Sequence, residues 1–391
     1  MAPAINTAIG LAAARGPGAA VVLGYGAFEL HTQVLFSARL GITLRGQGKE
    51  ATILVINAAT AAVTDGYIKV TDCYAVTLSH FSVTATASLT AARPDAIRLE
   101  GASPVRQVNT VIPTDLSTYL VNEVEIIGCY NGIHLTDTTR GPFGVWMQNL
   151  NIQPCNGGSG VWVDSQIGGM HYLTDSQINS LCPAAATPAL AAIRVTGTGD
   201  LTISRVNTFQ CDYGLLANPG GGALINYLRV NDSVFDTSNL NNCRIDGTPG
   251  CVIQNLDIAG TWFATVLTAT GGGFCVYIGQ GVTAGKLHSC RASNGDLTVG
   301  GGFIVNTGAN RVTLRDCNYK GPGHIGFALT NGVDACVIQS CDIGLGPGGE
   351  VVDVGVFVGA VTNSATGNNT IHATTPTIGV PTVNLGNDLI Y

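Results

Sequence analysis

Charge is scarce in this 391-residue chain: Asp, Glu, Lys and Arg make up 11% of it, against about 25% in an average soluble domain. No run of Lys or Arg occurs, and the formal net charge is −7 with a pI near 5.4. The basic stripe that a phosphate-backbone binder needs is missing, so nucleic acid is not an expected partner. The longest apolar stretches, around Val354–Val361 and Ala184–Val195, fall short of the roughly 20 residues of a membrane helix, and no membrane insertion is expected. Met1-Ala2-Pro3-Ala4-Ile5-Asn6 lacks the basic and apolar regions of a signal peptide, so no secretory address is expected. The 12 cysteines never form C-x-x-C, and no histidine stands at zinc spacing from them. Phosphate-cradling glycine loops, a Ser-His-Asp signature and dense acidic clusters are absent as well; Gly271-Gly272-Gly273 and Gly300-Gly301-Gly302 read as corners. No metal or other cofactor is expected. Disorder is excluded in turn, because 46% of the chain is hydrophobic.

What the chain has is a repeat. Short β-branched runs recur, as in Thr-Leu-Ser-His-Phe-Ser-Val (77–83), Trp-Met-Gln-Asn-Leu-Asn-Ile (146–152), Tyr-Leu-Thr-Asp-Ser-Gln-Ile (172–178), Val-Ile-Gln-Asn-Leu-Asp-Ile (252–258) and Val-Ile-Gln-Ser-Cys-Asp-Ile (337–343). Their anchors fall at 78, 121, 147, 173, 203, 230, 253, 287, 314 and 338, mostly 23 to 34 residues apart. Between them lies a second segment of strict alternation, such as Ala-Ile-Arg-Leu (96–99), Gly-Ile-His-Leu (132–135), Gly-Val-Trp-Val (160–163) and Ala-Ile-Arg-Val (192–195). Period two with Gly/Asn turns argues for strands and against βαβ units. A leucine-rich repeat shares the period, but its L-x-x-L-x-L and helix are missing. The expected fold is therefore all-β: a right-handed parallel β-helix whose coils stack about 4.8 Å apart.

Stacking the copies predicts columns. The fifth position of the first segment reads Phe81, Val124, Leu150, Ser176, Val206, Ser233, Leu256, Cys290, Cys317, Cys341, an interior line of small side chains ending in three thiols. Disulfides are not required there, and buried free thiols are expected. The fourth position is polar throughout, from His80, Glu123, Asn149 and Asp175 through Arg205, Asp232 and Asn255 to Ser289, Asp316 and Ser340, as a tight corner requires. Ile5, Ile9 and Ala12–Ala13 form one face of a short helix. The expected organisation is a cap over 1–20, the β-helix over 21–361 and an extended tail over 362–391 lying against a neighbouring subunit, with Pro376 and Pro381 in it.

Ala19-Ala20-Val21-Val22-Leu23-Gly24-Tyr25-Gly26 and Gly41-Ile42-Thr43-Leu44-Arg45-Gly46-Gln47-Gly48, followed by Thr52-Ile53, resemble the opening of pectate-lyase-like β-helix proteins, a superfamily that includes phage tailspikes. Gly24 stands where that family usually has Pro. The resemblance implies the fold more firmly than an activity, since the scaffold hosts lyases, hydrolases, epimerases and pure binders. Without a signal peptide the tailspike type is favoured: a homotrimer made in the host cytoplasm, carried on the virion with other virion proteins, and binding, and often cleaving, bacterial surface polysaccharide. A non-catalytic receptor-binding spike and an exported, extracellular polysaccharide lyase remain open alternatives. The N-terminal virion-attachment domain usual in tailspikes is not recognisable.

Candidate sites follow from the columns. The outward middle residues of the second segment run Arg98, His134, Trp162, Arg194, Leu216, Arg244, Tyr277. Aromatic faces and guanidinium forks suit sugar rings and sugar carboxylates, or equally a subunit interface. Asp164 and Asp246 close that strand beside Trp162 and Arg244. Hydrolysis needs two carboxyl groups; Asp175 and Asp232, with Arg205 between them, are expected about 9–10 Å apart, and Asp236 and Asp257 lie near them in the coil order.

Overall fold

The computed structural model describes all residues except 58–62, 64, 87–94, 102–117, 138–140, 155, 167–168, 181–188, 266–272, 295–299, 346–348, 350, 380–382, 385–387 and 391. Cys155, Cys182, Gly271, Gly272 and Pro381 therefore lie outside the described residues. The chain is a parallel β-solenoid of about ten turns, 60% strand and 4% helix. Its contacts divide it into two compact units, Met1–Thr202 and Ile203–Tyr391.

In the first unit the register follows the sequence period. Leu44, Leu78, Val121, Met147 and Leu173 pair in succession, all inside. Ile97, Ile133, Val161 and Ile193 do the same for the second segment. The helix Ala2–Arg15 buries Ile5, Ile9 and Ala12, as a cap must. Asn6 completes it: its side chain donates to Gln33 O at 2.9 Å and accepts from Leu35 N at 2.9 Å, satisfying the edge at Val34–Ser37. Gly46 belongs to the motif that resembled the pectate-lyase-like opening, and its reason is steric. A Cβ there would stand 2.2 Å from His80 O, while Thr52, fully buried, donates to Gly24 O and accepts from Gln47 N.

The second unit corrects one copy. Val230 pairs with Ile258, Ile258 with Leu287, Leu287 with Leu314 and Leu314 with Ile338. Ile253, the expected anchor, instead pairs with Ile225 and lies five residues upstream. Thr261 and Gly260 thus take the places assigned to Leu256 and Asn255. The cause is that both Ile253 and Ile258 head an alternating apolar pair, and the sequence period cannot choose between them. From Thr362 on, the expected tail adds strand pairs, Val337 with Ala365, Asp342 with Thr370 and Val352 with Ala373.

The polar fourth position has a backbone explanation. All ten of its residues adopt positive φ, between 48° and 60°. A left-handed residue turns one strand sharply into the next, a conformation that Asn and Asp tolerate best. The fifth position then completes the corner. Ser176, Ser233 and Thr261 donate to the carbonyls of Thr174, Asn231 and Ala259 at 2.7, 2.9 and 3.0 Å. Cys290, Cys317 and Cys341 donate their thiols to His288, Arg315 and Gln339, each at 3.4 Å. The hydroxyls also accept from the preceding coil, Leu150 N to Ser176 at 3.1 Å and Val206 N to Ser233 at 3.2 Å. Small donors recur here because each silences a buried carbonyl.

The ten described cysteines are all buried. Burial pushes the Cys73 thiol up to about 11 and that of Cys211 up to about 12. Since the thiolate is the reactive form, a native-state titration with a thiol reagent at pH 8 is expected to leave all ten unmodified until the chain is denatured. Rapid native labelling of Cys290, Cys317 or Cys341 would contradict the buried ladder.

Candidate functional site

The second-segment column of the first unit is in register as expected: Lys69, Arg98, His134, Trp162 and Arg194 pair in succession. Its chemistry differs from the expected open row. Arg98 is held by Glu100 at 2.9 Å and Asp95 at 3.4 Å, and Lys69 by Asp65 at 2.6 Å and Glu100 at 3.1 Å. Burial opposes the charge on Lys69, but these carboxylates outweigh it and hold the ammonium above its ordinary range. His134, expected outside, is only 5% exposed. Its Nδ1 meets Asp95 at 2.8 Å and its ring stacks on Trp162, 4.0 Å between centroids and 2° from parallel. Arg194 covers the same indole at 4.7 Å, and burial lowers its guanidinium below the ordinary value. Trp162 Nε1 donates to Thr196 at 2.9 Å, and Thr196 to Asp164 at 2.8 Å. The arrangement is a closed ladder of ion pairs and stacked rings, and Asp95 and Glu100, which carry it, went unnoticed in sequence. Their signal was their position, bracketing Arg98 at the two ends of one short strand.

In the second unit Leu216, Arg244 and Tyr277 pair in succession. Leu216, also expected outside, is 6% exposed. Arg244 binds Asp246 at 2.8 Å and lies over Tyr277 at 4.8 Å. Burial works against its charge, yet Asp246 prevails and raises the guanidinium. Asp246 also accepts from Gln280 N at 2.9 Å, and Asn306 donates to the Tyr277 hydroxyl. Of the three expected guanidinium forks, Arg98 and Arg244 therefore already hold carboxylates, while Arg194 lies over Trp162.

The expected carboxylates are corner and face residues. Asp175 stands on a left-handed corner of the first unit, and Arg205 and Asp232 on left-handed corners of the second. Asp236 is half-buried between Phe209 and Ala264. Asp257 lies between Arg229 and Lys286 on the outward side of the first segment, 3.3 Å from His288.

A stacked aromatic pair absent from the expected columns lies on the outer surface of the first unit. Trp146 and Tyr172 are paired on adjacent coils and stack at 5.7 Å, 11° from parallel. Trp146 is 39% exposed, and its ring lies along the backbone at Gly144, where a Cβ would come within 3.0 Å of it. Two residues further along the same strands, Asn122, Gln148 and Thr174 form a half-buried polar row in register. The sequence carried a signal: two consecutive copies begin with an aromatic, and alternation turns that first position outward. Rings with a row of amides and hydroxyls beside them can stack on sugar faces while bonding their hydroxyls.

Solved structures share this architecture. The chain is similar to the A-module of mannuronan C-5 epimerase AlgE6 from Azotobacter vinelandii, with 12% identity and a TM-score of 0.64 over 100% of this chain and 95% of that one. The pre-mature gene product 12 of bacteriophage phi29 gives 13% identity and a TM-score of 0.71 over 98% of this chain and 53% of that one. Tailspike protein 3 of bacteriophage CBA120 gives 11% and 0.59 over 97% and 58%. The fold is the parallel β-solenoid of these structures, a phage tailspike protein among them. The chain spans little more than half the length of those two phage proteins. No protein-family model and no curated protein matches the sequence. Among the described residues, no helix is long and apolar enough to cross a membrane, and no group of three or more His, Cys, Asp or Glu could hold a metal ion.

Proposed function

We propose that this β-helix binds polysaccharide of a bacterial surface in the manner of a phage spike, carried on a virion as a homotrimer. The observation that carries the reading is the exposed Trp146–Tyr172 stack beside the Asn122–Gln148–Thr174 row. Fold likeness to tailspikes and to a polysaccharide-modifying epimerase supports it. Binding is the core of the reading, because the exposed stack and its polar row offer a sugar a face and hydrogen-bonding partners.

Trp146→Ala is expected to weaken capture of capsular or lipopolysaccharide oligosaccharides by about tenfold or more, with the circular dichroism spectrum unchanged. A glycan array followed by calorimetry reads it, and undiminished binding by the variant would remove the platform from the account. Reducing-end release from a bound glycan, abolished by Asp232→Asn, would add hydrolysis to binding. An unsaturated, chelator-sensitive product would instead mark a lyase.

A further inference from the structure

On the second unit, the outward side of the first segment holds a recess of about 330 Å³. Ala284 and Gly285 form its low floor, and Tyr227, Arg229, Asp257, Lys286, Arg311 and Thr313 stand around it. The register orders these groups. Arg229, Asp257, Lys286 and Thr313 succeed one another on consecutive coils, so Arg229 and Lys286 are two coil rises, about 10 Å, apart. Arg229 lies over the Tyr227 ring at 5.0 Å. Arg311 leans in from the left-handed corner before the next coil, at φ 54°. Asp257 has its ion pair with His288, at 3.3 Å. Lys286 and Arg311 are exposed, and no ion pair joins either to a carboxylate among the described residues.

Three permanent cations thus face a single carboxylate, on a chain whose net charge is −7. Lys286 and Arg311 differ in this from Lys69, Arg98 and Arg244 of the second segment, each of which has a carboxylate within 3.1 Å. A concentrated positive recess in an acidic protein attracts anions selectively. The span from Arg229 to Lys286 is comparable to the length of a disaccharide. Tyr227 offers a ring and Thr313 a hydroxyl beside the charges, features that a sugar uses and a bare ion does not.

We propose that this recess binds an anionic polysaccharide, taking acid groups of the sugar chain on Lys286 and Arg311, beside Arg229 and the Tyr227 ring. The proposal rests on the polysaccharide reading and gives it a substrate class. Nucleic acid is the less favoured polyanion, because among the described residues no basic stripe extends beyond the recess to follow a phosphate backbone.

Calorimetric titration of the full chain tests it, with short hexuronate oligosaccharides, sulfated oligosaccharides, neutral glucan oligosaccharides, inorganic phosphate and a single-stranded oligonucleotide as probes. Acidic oligosaccharides are expected to bind and to weaken as salt rises. Their affinity should fall about tenfold or more in the double variant Lys286→Gln, Arg311→Gln. Preference for the hexuronate or the sulfated probe names the acid group, and either supports the proposal. Equal binding by the double variant overturns it, as does equal binding of neutral probes. Phosphate or the oligonucleotide binding as tightly as the acidic sugars overturns it too. Trp146→Ala separates the two levels. A chain that binds neutral glycans through Trp146 and no acidic one keeps the platform and loses this site, whereas a chain that binds no glycan loses both.

Discussion

Phe303→Ala is expected to lower the unfolding free energy by about 3–5 kcal/mol, read as a drop in the urea midpoint at unchanged m. Phe303 is fully buried. It stacks on Phe327 at 5.0 Å and 3°, and meets Phe263 edge-on at 6.5 Å and 87°. Phe263 in turn stacks on Phe235 at 5.6 Å, so one aromatic line runs through the interior of the second unit. The cavity left by alanine cannot close, because the backbone on each side is tied into parallel ladders whose spacing is set by hydrogen bonds. Coils interact with their neighbours, so the loss bears on the whole stack only through those contacts. Phe357→Ala, at an outward, half-buried position paired with Ala328, is expected to cost about 1 kcal/mol or less. Similar costs for the two variants would show that the Phe303 side chain does not lie inside.

Acid is expected to destabilise the first unit through one residue. His171 is fully buried in line with Val145, and neither ring nitrogen has a hydrogen-bond partner. Burial lowers its pKa from 6.5 to about 3, so the folded core holds a neutral ring where the unfolded chain takes up a proton below pH 6.5. Stability contributed by the neutral ring is whole above that pH, is lost progressively as pH falls toward 3, and is lower by roughly 3 kcal/mol at pH 4. His171→Leu removes the titration together with two unbonded nitrogens. The variant is therefore expected to melt higher than the parent at pH 7 and to keep its midpoint far better at pH 4. Parallel pH profiles for the two proteins would assign the acid sensitivity elsewhere.

Much of this could be read along the chain, and the residues show why. A solenoid repeats its local physics every coil, so Leu78, Val121, Met147 and Leu173 could be placed over one another from spacing alone. The left-handed corner from His80 to Ser340 was visible as a line of polar residues, because few side chains accept that backbone. The cap was equally legible in Ile5 and Ile9, since an open apolar end must be covered. Where two apolar pairs competed, at Ile253 and Ile258, period alone failed, and only strand pairing with Val230 and Leu287 decided it.

The site was read less well for a related reason. Alternation says which residues leave the core, but not what they meet outside it. Arg98 and Arg244 left the core as expected and were captured by Asp95, Glu100 and Asp246. His134 was covered by Trp162, while Trp146–Tyr172 and the Arg229–Lys286–Arg311 recess, outside the expected columns, stay open. Sequence by itself determined the coil, its corners and its interior, because those depend on neighbours at a fixed separation along the chain. Tertiary structure decided which charges are neutralised and which surfaces stay open, because those depend on side chains from different coils meeting at angles and distances that no period encodes.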